Sequence, residues 1–194
     1  MVNLGVMGHF VGDNSQPFHS TADYDGYKQG HGGIHGFYED QGVDEEGIDL
    51  TVRVEKLAAQ MRQMADSKDK KEQAKVAFLA AATPLEKMRA LSSVTVKEIN
   101  PILALDPVTK PSHIENVDGR ETKTPAERKP ISAIQAKFSP LIVTDLARST
   151  ALLAELWDEA YAKAGKPDLS AYRSWRYPLT PEFVAPDYFD IPKK

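Results

Sequence analysis

Apolar residues recur at helical spacing along most of the chain. From Ile48 to about Ala65, Leu50, Val54, Leu57, Ala58, Met61 and Met64 share one face, while Arg53, Glu55, Lys56 and Arg62 lie mostly elsewhere. That pattern predicts an amphipathic helix. A second long one is predicted over "SPLIVTDLARSTALLAELWDEAYAKAG", opened by Ser139 and Pro140 and closed by Gly165. "TPLEKMRALSSV" carries its own start signal: Thr83 as N-cap, Pro84 at the first helical position and Glu86 to complete a capping box. The stretch "VNLGVMGHFVGD" has helical spacing at Val2, Val6 and Phe10, and at Leu4 and Val11, but no cap precedes it. Either sequence once continued upstream, through truncation or processing, or a natural terminus frays there.

Between these helices the pattern breaks. Pro17, Gly26, Gly30, Gly32 and Gly33 predict a loop over residues 14–33. "GIHGFYEDQ" resumes a helical pattern, Gly42 is expected to interrupt it, and "VDEEG" re-enters helix with acidic residues suited to a first turn. The charge run in "DSKDKKEQAK" reads as a solvated helix start or linker. Residues 105–130 are polar and carry Pro107, Pro111, Pro125 and Pro130, which predicts a long irregular lid, insertion or mobile loop. Residues 166–194, rich in proline and aromatics including Trp175, predict an extended arm that packs on the body or on a partner. Strand signals are few and repeats absent, so the class is mainly α.

Composition narrows this picture only slightly. In 194 residues, 41% are hydrophobic and 27% charged, which is ordinary for a globular protein. A formal net charge of -4 argues against a protein that coats nucleic acid, though not against an enzyme that grips phosphate through metal ions. The absence of cysteine removes disulfides, thiolate metal sites and a cysteine nucleophile, so any metal site must use histidine, carboxylate or backbone oxygen. No apolar run reaches the roughly 18 residues of a bilayer span. The segment "MVNLGVMGHF" lacks the basic region and cleavage site of a signal peptide.

Chemistry concentrates near the start. Four of the five histidines fall in "GHFVGDNSQPFHSTADYDGYKQGHGGIHGFYED". His9 and Asp13 are spaced to share a helix face, and so are His35 and Glu39; His19 lies on the intervening loop. Each pair alone is more often a surface ion pair than a pair of metal ligands. The joint order H-x3-D-x5-H-x15-H-x3-E is more specific and points to a metal site, for which zinc fits imidazole and carboxylate donors best. His31 is expected to be solvent-exposed, or else a substitute ligand or phosphate contact. Asp23 and Asp25 fit turn chemistry as well as an outer shell. His113 is expected to stand apart from the site, and Trp157 and Trp175 to serve packing.

"HFVGDNSQPFH" followed by His35 and Glu39 resembles the signature of the S1/P1 nuclease and zinc-dependent phospholipase C superfamily. The resemblance to its motif rests on His9, Gly12, Asp13, Pro17, His19, His35 and Glu39, and the long helix ending near Gly165 is similar to the family's C-terminal helix. It implies an all-α multi-helix bundle, here incomplete, over residues 1–165, with the arm 166–194 appended. It implies up to three zincs, with His9 and Asp13 in a paired site, Asp13 bridging two ions as the catalytic carboxylate, and His19, His35 and Glu39 holding another. The implied activity is hydrolysis of a phosphodiester, in nucleic acid or phospholipid, by an activated water, in a periplasmic or secreted protein. Gln16-Pro17 is similar to the nuclease branch, whereas Glu39 and the short interval from His19 to His35 are similar to the phospholipase branch. The family's further ligands, among them an N-terminal tryptophan, have no counterpart here. Three expectations follow: another chain or fragment supplies the N-terminal half, a single-zinc site operates, or a catalytically inactive relative serves binding or assembly.

Overall fold

The computed structural model describes residues 2–169, with side chains from residue 5 onward; the aromatic arm and Trp175 therefore lie almost wholly outside the described residues. The chain is mainly α-helical. Its long elements are α1 (Val2–Ser15), α4 (Leu50–Ala65), α6 (Pro84–Thr95) and α8 (Gln135–Lys163). Short elements join them: α2 (Ile34–Gly36), a π-turn at Phe37–Gln41, α3 (Gly42–Asp44), α5 (Lys70–Lys75) and α7 (Ile99–Leu105).

Helix α8 is the spine. It packs on α1 and α4 together, so it buries more than one stripe: Ile142, Asp145, Ser149, Leu152 and Leu156 at helical spacing, with Ala147 and Ala151 small enough for close approach. Two apolar clusters flank it. One gathers Val11, Val54, Ala58, Met61, Phe78, Leu91 and Leu152 between α1, α4, α6 and α8. The other gathers Phe18, Ile34, Phe37, Tyr38, Ile102, Phe138 and Ile142 under the histidine-bearing segments.

The predicted helix over residues 48–65 forms from Leu50, with Val54, Ala58 and Met61 inward, while Ile48 is fully exposed. Thr83 caps α6 as expected: its hydroxyl accepts from Glu86 N–H at 3.2 Å and the Glu86 carboxylate accepts from Thr83 N–H at 3.1 Å.

Three expectations need correction. Helix α8 starts at Gln135, four residues before Ser139, and carries Pro140 within its second turn, where the missing N–H forgoes one bond near the helix start. Gly42 does not interrupt its helix. The chain stays helical from Ile34 to Asp44 through the π-turn, and the glycine serves packing, because a Cβ there would lie 2.8 Å from Ile142 Cδ1. Residues 105–130 are not irregular. Strands β1 (Val108–Lys110) and β4 (Glu127–Arg128) pair antiparallel, and nested inside them β2 (His113–Val117) pairs with β3 (Arg120–Thr124). Asp118 and Gly119 turn the inner hairpin at φ 52° and 76°, the left-handed pair of a tight hairpin turn.

A polar network lies under the π-turn. Tyr38 donates its hydroxyl to Asp145 at 2.9 Å, and Arg148 bridges Asp145 and Glu98 at 3.0 and 2.8 Å. Burial, reinforced by Glu98, pushes the Asp145 carboxyl well above the ordinary carboxylate range, against the opposing pull of Tyr38 and Arg148. The folded state therefore holds the Asp145 proton after the unfolded chain has lost its own at about pH 4. Asp145 contributes stability below that pH and loses the contribution as pH rises toward its raised folded value. Asp145→Asn, which cannot ionise, is expected to gain stability relative to the native protein between about pH 4 and 7. Urea denaturation at both pH values reads the gap; a gap constant with pH would contradict this placement of the proton.

Candidate metal centre

The histidine-bearing segments meet because Phe18 and Ile34 are fully buried in the same apolar cluster. Phe18 sits in the 3₁₀ turn Pro17–Ser20, which leads directly to His19. Ile34 opens the helix whose next residue is His35. The π-turn then carries Phe37 and Tyr38 inward and leaves Glu39 partly exposed beside His35.

Three donor atoms converge there. His19 Nε2 and His35 Nε2 are 3.2 Å apart, Glu39 Oε2 is 2.9 Å from His35 Nε2 and 3.7 Å from His19 Nε2, and the group could hold a metal ion. Gln16 orients the carboxylate: its Nε2 donates to Glu39 Oε2 at 3.1 Å while its Oε1 accepts the Phe18 N–H and caps the 3₁₀ turn. Glutamine is not among the residues that ordinarily mark an N-cap, so apart from the Gln16-Pro17 cue nothing in the sequence singles out this role.

Asp13 stands between His9 and His19. Its oxygens lie 3.3 Å from His9 Nε2 and 3.8 Å from His19 Nδ1. His19 thus turns one nitrogen to the cluster and the other toward a carboxylate, the usual outer partner of a metal-binding imidazole. His9 is mostly exposed, and its imidazole edge-packs on Phe10. The paired site implied by His9 and Asp13 is brought within reach of His19, but among the described residues it gathers no further histidine or carboxylate into a group.

Asp13, His19 and His35 line a cleft of about 780 Å³ whose walls also include Phe10, Asn14, Ser20, Tyr24, Met88 and Ser92. Among the described residues, no lysine or arginine lines it. Asn14 is fixed by its bonds to Met88 O at 2.7 Å and from the Ser92 hydroxyl at 2.6 Å. Phe10 and Met88 also border an apolar groove with Val6, Leu85 and Leu156.

The remaining candidates sort as follows. Asp25 accepts the His35 N–H at 3.2 Å, an outer-shell contact, whereas Asp23 accepts from Lys28 N–H and serves its turn. His113 pairs with Glu115 on strand β2 of the inner hairpin and does not line the cleft. Trp157 is more exposed than a packing role predicts. His31 is the clearest correction. It is not a free loop histidine, because Nδ1 meets Asp106 Oδ2 at 2.8 Å, and that carboxylate is fully buried.

No family model, no curated protein and no solved structure matches the chain. No helix among the described residues is long and apolar enough to cross a membrane.

Proposed function

We propose that the protein is a zinc-dependent hydrolase of phosphoric esters whose metal rests on His19, His35 and Glu39. The convergence of those three donor atoms, two of them on residues that line the cleft, carries the reading. A tetrahedral zinc with bonds near 2.0–2.1 Å needs donors about 3.3 Å apart. The observed separations of 3.2, 2.9 and 3.7 Å bracket that value. Two imidazoles and a carboxylate also match zinc's preference for nitrogen and oxygen donors, and three protein ligands leave a fourth position for water or substrate.

The bound ion would lower the pKa of a water and offset phosphoryl charge. The protein's own contribution is positional. Gln16 holds the Glu39 carboxylate, and Asp13, on the cleft wall with an oxygen 3.8 Å from His19 Nδ1, steadies that imidazole from its far side. Among the described residues no lysine or arginine lines the cleft, so in this reading the bound ion would offset the phosphate charge. The resemblance to the nuclease and phospholipase superfamily supports the same reaction and leaves the ester's identity open.

A second reading has one observation behind it. Among the described residues His9 and Asp13 gather no additional ligands, so a metal-holding relative without catalysis would look the same at that pair. Hydrolysis of bis(4-nitrophenyl) phosphate separates the two. The zinc-loaded protein is expected to turn this diester over, and His19→Ala to cut the rate at least about 100-fold, the size of effect seen when one electrostatic contributor to a transition state is removed. A rate no higher than that of free zinc would favour the non-catalytic reading.

A further inference from the structure

His35 lacks the support that a metal-binding imidazole ordinarily has. Its Nε2 faces the cluster, but its Nδ1 is buried with no hydrogen-bond partner among the described residues. The other ring nitrogen of such a histidine usually donates to a carboxylate or carbonyl, which fixes the ring. Apart from its Nε2 contacts within the cluster, the ring is oriented by its backbone, with Tyr24 edge-on at 5.6 Å as a side wall.

That backbone is gripped from outside. The turn preceding His35 runs through Gly30 and Gly33 at φ 80° and 87°, a conformation that glycine adopts freely and that needs external bonds to be held rigid. Strand β4 and the links beside the strands supply them. Arg128 Nη1 donates to Gly32 O at 2.9 Å and Nη2 to His31 O at 2.5 Å. Ser112 Oγ accepts the Gly32 N–H at 2.8 Å, and Ala126 N–H donates to Gly32 O at 3.0 Å. Arg128 is itself locked by Asp106, Nε to Oδ1 at 2.7 Å and Nη2 to Oδ2 at 3.0 Å, and the same Oδ2 meets His31 Nδ1. The Asp106 side chain is wholly buried and Arg128 nearly so. A fork-to-fork pair of this kind has one geometry, and a charge pair buried this deeply is tolerable only when its remaining hydrogen bonds are made. They are made to the turn that starts the His35 helix.

We propose that Arg128 and Asp106 are positioning residues for His35: they fix the 30–33 turn through His31 and Gly32, and so aim the imidazole at the His19/His35/Glu39 centre. The proposal rests on reading that cluster as a metal centre, but its first readout needs no metal. The segment that looked like a loose polar loop in sequence thereby becomes part of the site.

The test compares Arg128→Lys, which keeps the charge and loses the fork, with His31→Gln as a milder change. Leu91→Ala, in the other apolar cluster, is the control for general destabilisation. Nitrogen-15 imidazole spectra of the metal-free proteins report the His35 ring, and competition with a chromophoric chelator reports zinc affinity. Arg128→Lys is expected to move the His35 resonances and weaken zinc binding about 10- to 100-fold, the range for losing an outer-shell partner. His31→Gln moves the same resonances less, and Leu91→Ala leaves both readouts unchanged. Native-like His35 resonances and affinity in both clamp variants would overturn the proposal, as would equal effects in Leu91→Ala. Displaced His35 resonances in a protein whose native form binds no zinc would uphold the positioning role and overturn the metal reading.

Discussion

His35→Ala is expected to lower zinc affinity by at least about 100-fold, the upper end of what losing a mere outer-shell partner costs. The reason is geometric. His35 Nε2 is the donor nearest to both others, 3.2 Å from His19 Nε2 and 2.9 Å from Glu39 Oε2. Without it, the two survivors are 3.7 Å apart and both reach toward solvent. No neighbouring donor replaces it, since Asp13 sits on the far nitrogen of His19 and Asp25 is engaged by the His35 backbone. The metal-free variant should keep the helical circular dichroism of the native protein, because the cores beneath the site are apolar and do not include the imidazole. Chelator competition measures the change, and an affinity equal to the native value would place the zinc elsewhere.

Phe138→Ala is expected to destabilise the metal-free protein by about 3–5 kcal/mol, the range for deleting a buried aromatic ring. Phe138 is fully buried and meets Phe37 and Tyr38 edge-on at 6.2 and 5.3 Å. Those two residues are the inward half of the π-turn that presents Glu39. The void therefore opens directly under a ligand, and zinc affinity should fall with stability. Leu152, equally buried but in the cluster that does not underlie the π-turn, provides the comparison: Leu152→Ala should cost about 2–5 kcal/mol and spare the affinity. Urea unfolding gives the first quantity and chelator competition the second. A Phe138→Ala protein with native affinity would separate the π-turn from the floor beneath it.

What the sequence made legible, and what it hid, follows from the range of the interactions. The amphipathic α4 and the capping box of α6 are local devices, and both form where the residue pattern places them. Gly42 misled because a glycine within a helical pattern reads as a break, while its actual constraint is Ile142, a hundred positions away. The hairpins at 108–128 gave no alternation to read, since β2 and β3 are exposed on both faces; the Asp118-Gly119 pair was the one available signal. The order of histidines and carboxylates marked His19, His35 and Glu39 as candidates, but only the burial of Phe18 and Ile34 explains why they meet. His31 looked idle because its partner, Asp106, lies 75 positions downstream.

X-ray absorption at the zinc edge, on protein loaded with one equivalent and dialysed, tests the metal centre most directly. The expected spectrum shows imidazole scattering from His19 and His35 and a short nitrogen and oxygen shell at about 2.0–2.1 Å, and the imidazole signal should halve in His19→Ala. A protein that retains no zinc after dialysis, or retains it in an all-oxygen shell unchanged by His19→Ala, would contradict the centre.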